Sequence, residues 1–169
     1  MRITRFLILS CALLLMAVTS HAQNYKLYTV FMNSFTRYIE WPAEANNGDF
    51  EIFVLGESPI VADLKSMAQL KKVGDRTIKI TQIKAVSEIR KCNILFVPSD
   101  KSGLLGDVLT KLGQSPTLVV TEQEGLGQKG SGINFVEKSG KPAFELNNAA
   151  LNKAKLKASS ELSRIAIII

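Results

Sequence analysis

The stretch "FEIFVLGESPI", Phe50 to Ile60, decides how the rest of the chain is read. Phe50 to Leu55 is a near-continuous apolar run closed by Gly56, the pattern of a strand covered on both faces. Pro59 suits the first turn of a helix, and Ile60, Val61, Leu64, Met67 and Leu70 then recur at helical spacing. A strand buried on both faces and followed at once by a helix is half of a parallel β-α-β unit, and the pattern repeats downstream. Thr77 to Ile83 alternates as a strand, and Ala85 to Lys91 reads as a short helical connection. "NILFVP" (Asn93 to Pro98) is a second buried strand, Leu104 to Leu112 a helix, and "TLVVT" (Thr117 to Thr121) a third buried strand. This alternation predicts an α/β fold: a single Rossmann-like three-layer domain with a mostly parallel sheet and helices on both faces.

Both ends depart from that rhythm. From Tyr25 to Glu40, the residues Leu27, Val30, Phe31, Phe35, Tyr38 and Ile39 mark an amphipathic helix that Pro42 should end at about Glu40. "INFVEKSGKPAFEL" reads as an antiparallel hairpin around Lys138-Ser139-Gly140-Lys141. Asn147 or Asn148 should cap a helix through Lys155, and Ser159 or Ser160 another through Leu162, Ile165 and Ile169. The terminal "IAIII" is expected to bury against the sheet.

Residues 1–22 read as a leader: basic Arg2 and Arg5, an apolar run from Phe6 to Val18, and the small-x-small site Ser20-His21-Ala22. Cleavage after Ala22 and export to the periplasm are expected, leaving one domain over residues 23–169. The apolar run is short of the roughly 20 residues that span a bilayer. The 21 basic residues against 15 acidic give +6, and losing Arg2 and Arg5 leaves an excess of +4. That excess is mild and scattered, which argues against nucleic acid as a partner. His21 and Cys11 leave with the leader, so the exported chain would hold no histidine and one cysteine, Cys92. A Ser-His-Asp or Cys-His nucleophile, a His-ligated zinc and an intramolecular disulfide are thereby excluded. No catalytic residues, metal or cofactor are expected.

"GLGQKG" (Gly125 to Gly130) matches a dinucleotide fingerprint in letters alone, because it leads into a strand rather than opening a helix. Glu57, Ser58, Ser99, Asp100, Thr121 and Glu122 follow or end the buried strands and so gather at the carboxyl edge of a parallel sheet, where α/β folds bind ligands. Solvated loop groups are the plainer reading of the acids among them. Cys92, at the start of a buried strand, reads as a small hydrophobe. Trp41 reads either as a clasp closing the first helix onto the Phe50 strand or as the edge of a partner surface shared with Tyr25 and Tyr28.

In their order and spacing, "FTRYIEWP", "FEIFVLGESPI", "RTIKI", "CNILFVP", "TLVVTEQEGL", "SGINFV" and "FELNNAALNKAKLKASSELSRIAII" resemble the YfiR/HmsC-like family of exported regulatory domains. The resemblance covers nearly all of the chain after the leader. It implies a non-enzymatic periplasmic sensor-inhibitor that restrains a membrane-bound diguanylate cyclase, with effects on cyclic di-GMP and biofilm formation, and it implies a homodimer. A sensor kinase is the other membrane partner considered. Members often carry several cysteines; the single Cys92 here leaves no internal disulfide switch. A small-molecule receptor using the carboxyl-edge crevice is the competing reading, and a carboxylate hydrolase a third.

Overall fold

A computed structural model describes residues 24–169. The leader expected at residues 1–22 lies outside the described residues.

The parallel part of the sheet is built by the three buried runs, one alternating strand and the first strand of the late hairpin. In chain order the ten strands of the described residues are β1 (Ile39–Glu40), β2 (Phe50–Leu55), β3 (Lys72–Val73), β4 (Arg76–Ile83), β5 (Ile94–Val97), β6 (Leu118–Thr121), β7 (Ile133–Lys138), β8 (Lys141–Leu146), β9 (Lys157–Ala158) and β10 (Ile167–Ile168). Eight of them form one sheet in the order β10-β8-β7-β6-β5-β2-β4-β3. Within it β4, β2, β5, β6 and β7 are mutually parallel. The first of these five strands to be made, β2, thus sits between the second and the third. This 2-1-3-4-5 order of doubly wound sheets puts the topological switch point between the carboxyl ends of β2 and β5.

The helices are α1 (residues 24–38), α2 (Ile60–Leu70), α3 (Leu105–Leu112), α4 (Asn148–Lys153) and α5 (Ser160–Ile165). Alternate residues of each central strand feed two separate cores, as the pleat requires. Ile52, Val54, Ile94 and Phe96 point to a face that packs with Met32 and Phe35 of α1, Leu64 of α2, Leu151 of α4 and Leu162 of α5. Phe53, Leu55, Leu95 and Val97 point to the other face, covered by Leu105, Val108 and Leu112 of α3 with Leu126. The three-layer α/β expectation holds.

On the first face α1 is held by aromatic packing against the late hairpin. Tyr28 stacks on Phe135 with ring centroids 4.0 Å apart, and Phe31 and Phe35 each meet Phe144 edge-on at 5.2 Å. The hairpin turns at Ser139 and Gly140, both with positive φ (53° and 74°), as a two-residue turn matched to strand twist demands.

Three expectations need correction at the boundaries. α1 stops at residue 38, because Ile39 and Glu40 leave the helix to pair with Ala158 and Lys157. The Ala85–Lys91 segment makes only a single tight turn, Val86–Glu88. The last helix ends at Ile165, and "IAIII" does not bury face-on. Instead Ile167 and Ile168 add β10 alongside β8, so that Ile165 and Ile168 remain exposed. A strand can satisfy its backbone at a sheet edge where a lengthened helix would find no such partner.

At the amino edge one buried side chain ties four segments together. Asn93 Oδ1 accepts from the Glu51 amide (3.0 Å) and from Arg76 Nη2 (3.1 Å), while its Nδ2 donates to the Ala45 carbonyl (3.1 Å). Its own carbonyl accepts from Trp41 Nε1 (3.3 Å). Truncating it leaves the Glu51 amide and the Ala45 carbonyl without this partner, each costing on the order of 1–3 kcal/mol. Asn93→Ala is therefore expected to lower unfolding free energy by about 3 kcal/mol in urea melts, more than an exposed Asn46→Ala by the same measurement.

Candidate functional site

The loops after β2, β5 and β6 meet at the switch point, and the amino-terminal end of α1 lies across them. Glu122, the residue after β6, accepts two hydrogen bonds on Oε1: from the Ser99 amide at 3.0 Å and from the Tyr25 hydroxyl at 3.2 Å. Tyr25, considered from sequence as a partner residue, and Ser99 and Glu122, considered as ligand residues, thus converge on one carboxylate. Burial is the main force on it and pushes the Glu122 pKa up, while the Ser99 and Tyr25 hydrogen bonds pull it back and Asp100 adds to the rise. Burial, reinforced by the Glu122 charge, pushes Tyr25 up to about 12, so its hydroxyl stays a donor at any ordinary pH. Ser58 Oγ is out of contact with solvent and makes no hydrogen bond of good geometry, yet it lies near enough to Tyr25 to temper that rise.

The remaining predicted residues are not all brought to this point. Glu57 is exposed, and Asp100 pairs with its neighbour Lys101 at 3.0 Å. Thr121 is fully buried, and its hydroxyl donates to Asn134 Oδ1 at 2.7 Å beside Ser131, inside the sheet rather than in the crevice. Lys101 reaches over one wall of the crevice. Gly56, at φ +81°, lies beneath the Lys101 side chain, where an added Cβ would come within 2.6 Å of Lys101 Cε. The positive φ is what favours glycine here, since the end of the Lys101 side chain can move aside.

Tyr28 is half-buried on Phe135. Trp41 packs edge-on against Phe50 at 5.1 Å and donates to Asn93, joining the end of α1 to the start of β2 with part of its ring in solvent. Cys92 is buried among apolar side chains, and burial pushes its thiol up to about 12, which leaves almost no thiolate. The "GLGQKG" segment is a succession of tight turns between β6 and β7 that buries Leu126 in the core. Among the described residues no group of three His, Cys, Asp or Glu side chains is placed to hold a metal.

Sequence reasoning missed the opposite edge. A cavity of about 570 Å³ opens there, lined among others by Glu44, Asp49, Glu51, Arg76, Lys91 and Asn93. Polar residues opening two apolar strands, Arg76 in "RTIKI" and Asn93 in "NILFVP", were the signal that could have found it.

Residues 25–167 match the family described as YfiR/HmsC-like. The chain belongs to the YfiR/HmsC-like family. That family is known for periplasmic regulators of diguanylate cyclases and is regulatory rather than enzymatic. No curated protein matches the chain. The YfiR/HmsC-like match begins at Tyr25 and ends within β10, so the residue that reaches Glu122 and the last edge strand both fall inside the family domain.

Two measurements probe this arrangement. A carboxyl whose pKa is raised by folding binds its proton more tightly when folded than when unfolded. Stability therefore falls as pH climbs from the ordinary carboxylate range through the raised value. Glu122→Gln keeps an acceptor for Tyr25 and Ser99 but cannot ionise. Its melting temperature relative to wild type is expected to climb as pH rises from the ordinary carboxylate range through the raised value, and a flat difference would show that Glu122 bears no desolvation penalty. Trp41→Ala, at a partly exposed ring, is expected to cost about 2–3 kcal/mol by denaturant unfolding, below the cost of a fully buried aromatic.

Proposed function

We propose that the chain is a non-enzymatic regulator that works outside the cytoplasm, restraining a membrane-bound diguanylate cyclase or sensor kinase through that protein's periplasmic region and so influencing cyclic di-GMP and biofilm output. The observation that carries this reading is the family match over residues 25–167. The leader-like pattern of residues 1–22, with cleavage after Ala22 and a domain over 23–169, agrees with it.

The outer face of α1 is the docking surface this reading favours. Val30 is 58% exposed and Leu27 37% exposed, beside the exposed cations Lys26 and Arg37. Apolar anchors ringed by polar residues suit a hot spot. Tyr25 and Tyr28 flank that face, whereas Trp41 is spent chiefly on the Phe50 contact. A homodimer is part of the proposal. The two sheet edges differ in a way that supports it: lysines 71 and 72 guard the β3 edge, while β10 presents Ile168, 50% exposed, on an unguarded edge.

The receptor reading joins this one through Tyr25. A ligand that engages the Glu122 carboxylate would compete with Tyr25 for it, and α1 carries both that tyrosine and the docking face. Ligand and partner would then be coupled, but only by the difference in ligand affinity between the two positions of Tyr25.

Val30→Asp puts a charge on the exposed face without touching the core. The variant is expected to melt like wild type, to lose recovery of a membrane cyclase or kinase from solubilised membranes, and to raise cellular cyclic di-GMP to the level of a strain lacking the protein. Unchanged recovery would move the docking surface off α1, and unchanged cyclic di-GMP in the strain lacking the protein would overturn the regulatory reading.

A further inference from the structure

β4, Arg76–Ile83, is the longest strand among the described residues, and most of its outer edge has no neighbour. β2 pairs with it from Ile78 to Ile83 on one side, whereas β3 meets only Arg76 and Thr77 on the other. The Ile83 carbonyl accepts from the Gly56 amide at 2.7 Å and therefore faces β2. Backbone groups alternate in direction along a strand, so Lys79 and Thr81 also face β2, while Ile78, Ile80 and Gln82 turn their N–H and C=O groups outward. Among the described residues no strand pairs with these outward groups, and no turn or loop bond reaches them.

Open strand edges recruit further strands unless something blunts them. The outer edge of β8 from Lys141 to Phe144 is also unpaired, but Pro142 removes a donor there. β4 holds no proline and runs in unbroken register along β2. On the face of the sheet that α2 covers, Ile80 is half-buried, and α2 ends beside this edge at Leu70, 80% exposed.

Charge decides what can lie here. The hollow between the end of α2 and the edge is lined by Leu70, Lys71, Lys72, Thr77 and Ile78 among others, and by no carboxylate. A second copy laid antiparallel about Ile80 would set its Lys84 against Arg76 and Lys72, and like charges so placed are destabilising. The lysines that keep a second copy away attract a strand of the opposite sign.

We propose that the outer edge of β4 takes an extended acidic segment of a partner protein as an added strand. Its backbone bonds to Ile78, Ile80 and Gln82, its apolar side chains rest against Ile80 and Leu70, and its carboxylates meet Lys71 and Lys72. Main-chain bonds supply the affinity of such an added strand, and the flanking side chains supply its selectivity. The surface is separate from the α1 face, so either can fail without the other.

Residue-resolved amide hydrogen exchange, with the protein titrated by the acetylated and amidated hexapeptide Glu-Val-Glu-Val-Glu-Val, tests this. In the free protein the Ile78, Ile80 and Gln82 amides are expected to exchange fast beside slow Lys79 and Thr81. Saturating peptide is expected to slow those three at least about tenfold. The matching Lys-Val peptide should bind at least about fivefold more weakly. Gln82→Pro removes an outward donor at an exposed position without breaking the β2 ladder, and should lose at least about tenfold in affinity for the acidic peptide. Lys71→Glu/Lys72→Glu, at two exposed positions, should reverse the preference between the peptides and serves if the proline variant melts early. The proposal is overturned if millimolar acidic peptide leaves the three amides unprotected, or if both peptides bind equally. Slow exchange of these amides in the free protein, as a second copy on this edge would cause, overturns it too.

Discussion

Aromatic contact between α1 and the β7–β8 hairpin is the constraint on which the rest of the molecule leans. The face of the sheet carrying Ile52, Val54, Phe96 and Phe135 cannot stay wet, and α1 supplies Met32 and Phe35 to cover it. Once Tyr28, Phe31 and Phe35 are seated on Phe135 and Phe144, the helix is fixed along the strands. At about 1.5 Å per residue its 15 residues span roughly 22 Å. One end then delivers Tyr25 to Glu122 at the carboxyl edge, and the other delivers Trp41 to Asn93 at the amino edge. A shift of α1 is therefore felt at both edges.

Most of the architecture was legible because it is written in local periodicity. The buried runs of β2, β5 and β6 announce themselves as continuous apolar stretches, and the hairpin by Ser139-Gly140 between alternating strands. What failed to read was decided by distant partners. Nothing in "RIAIII" favours a strand over a lengthened helix until β8 offers Glu145 and Leu146 for pairing. Glu40 and Ile39 look helical until Lys157 and Ala158 claim them.

The candidate site divides in the same way. Topology placed Glu57, Ser58, Ser99 and Glu122 near the carboxyl edge from sequence alone, since any parallel sheet collects the residues that follow its strands. The bond between Tyr25 and Glu122 joins residues 97 apart, and no spacing rule reports it. Thr121 shows the limit of edge reasoning from the other side. It ends β6, but the pleat turns it inward to Asn134 and Ser131, where a hydroxyl must be satisfied within the protein. Lys101 was unremarkable in sequence and lies over Gly56 because that residue carries no side chain.

The long reach of α1 also sets the order in which the chain becomes a protein. Its burial depends on Phe135 and Phe144, and its exit strand β1 waits for Ala158, so the first element of the described residues is among the last to be secured. Contacts of such sequence separation require closing a long loop before any of them is rewarded, which slows folding and leaves a partly synthesised chain without its first core. Until those late segments arrive, the aromatic stripe of α1 lacks the surface that buries it.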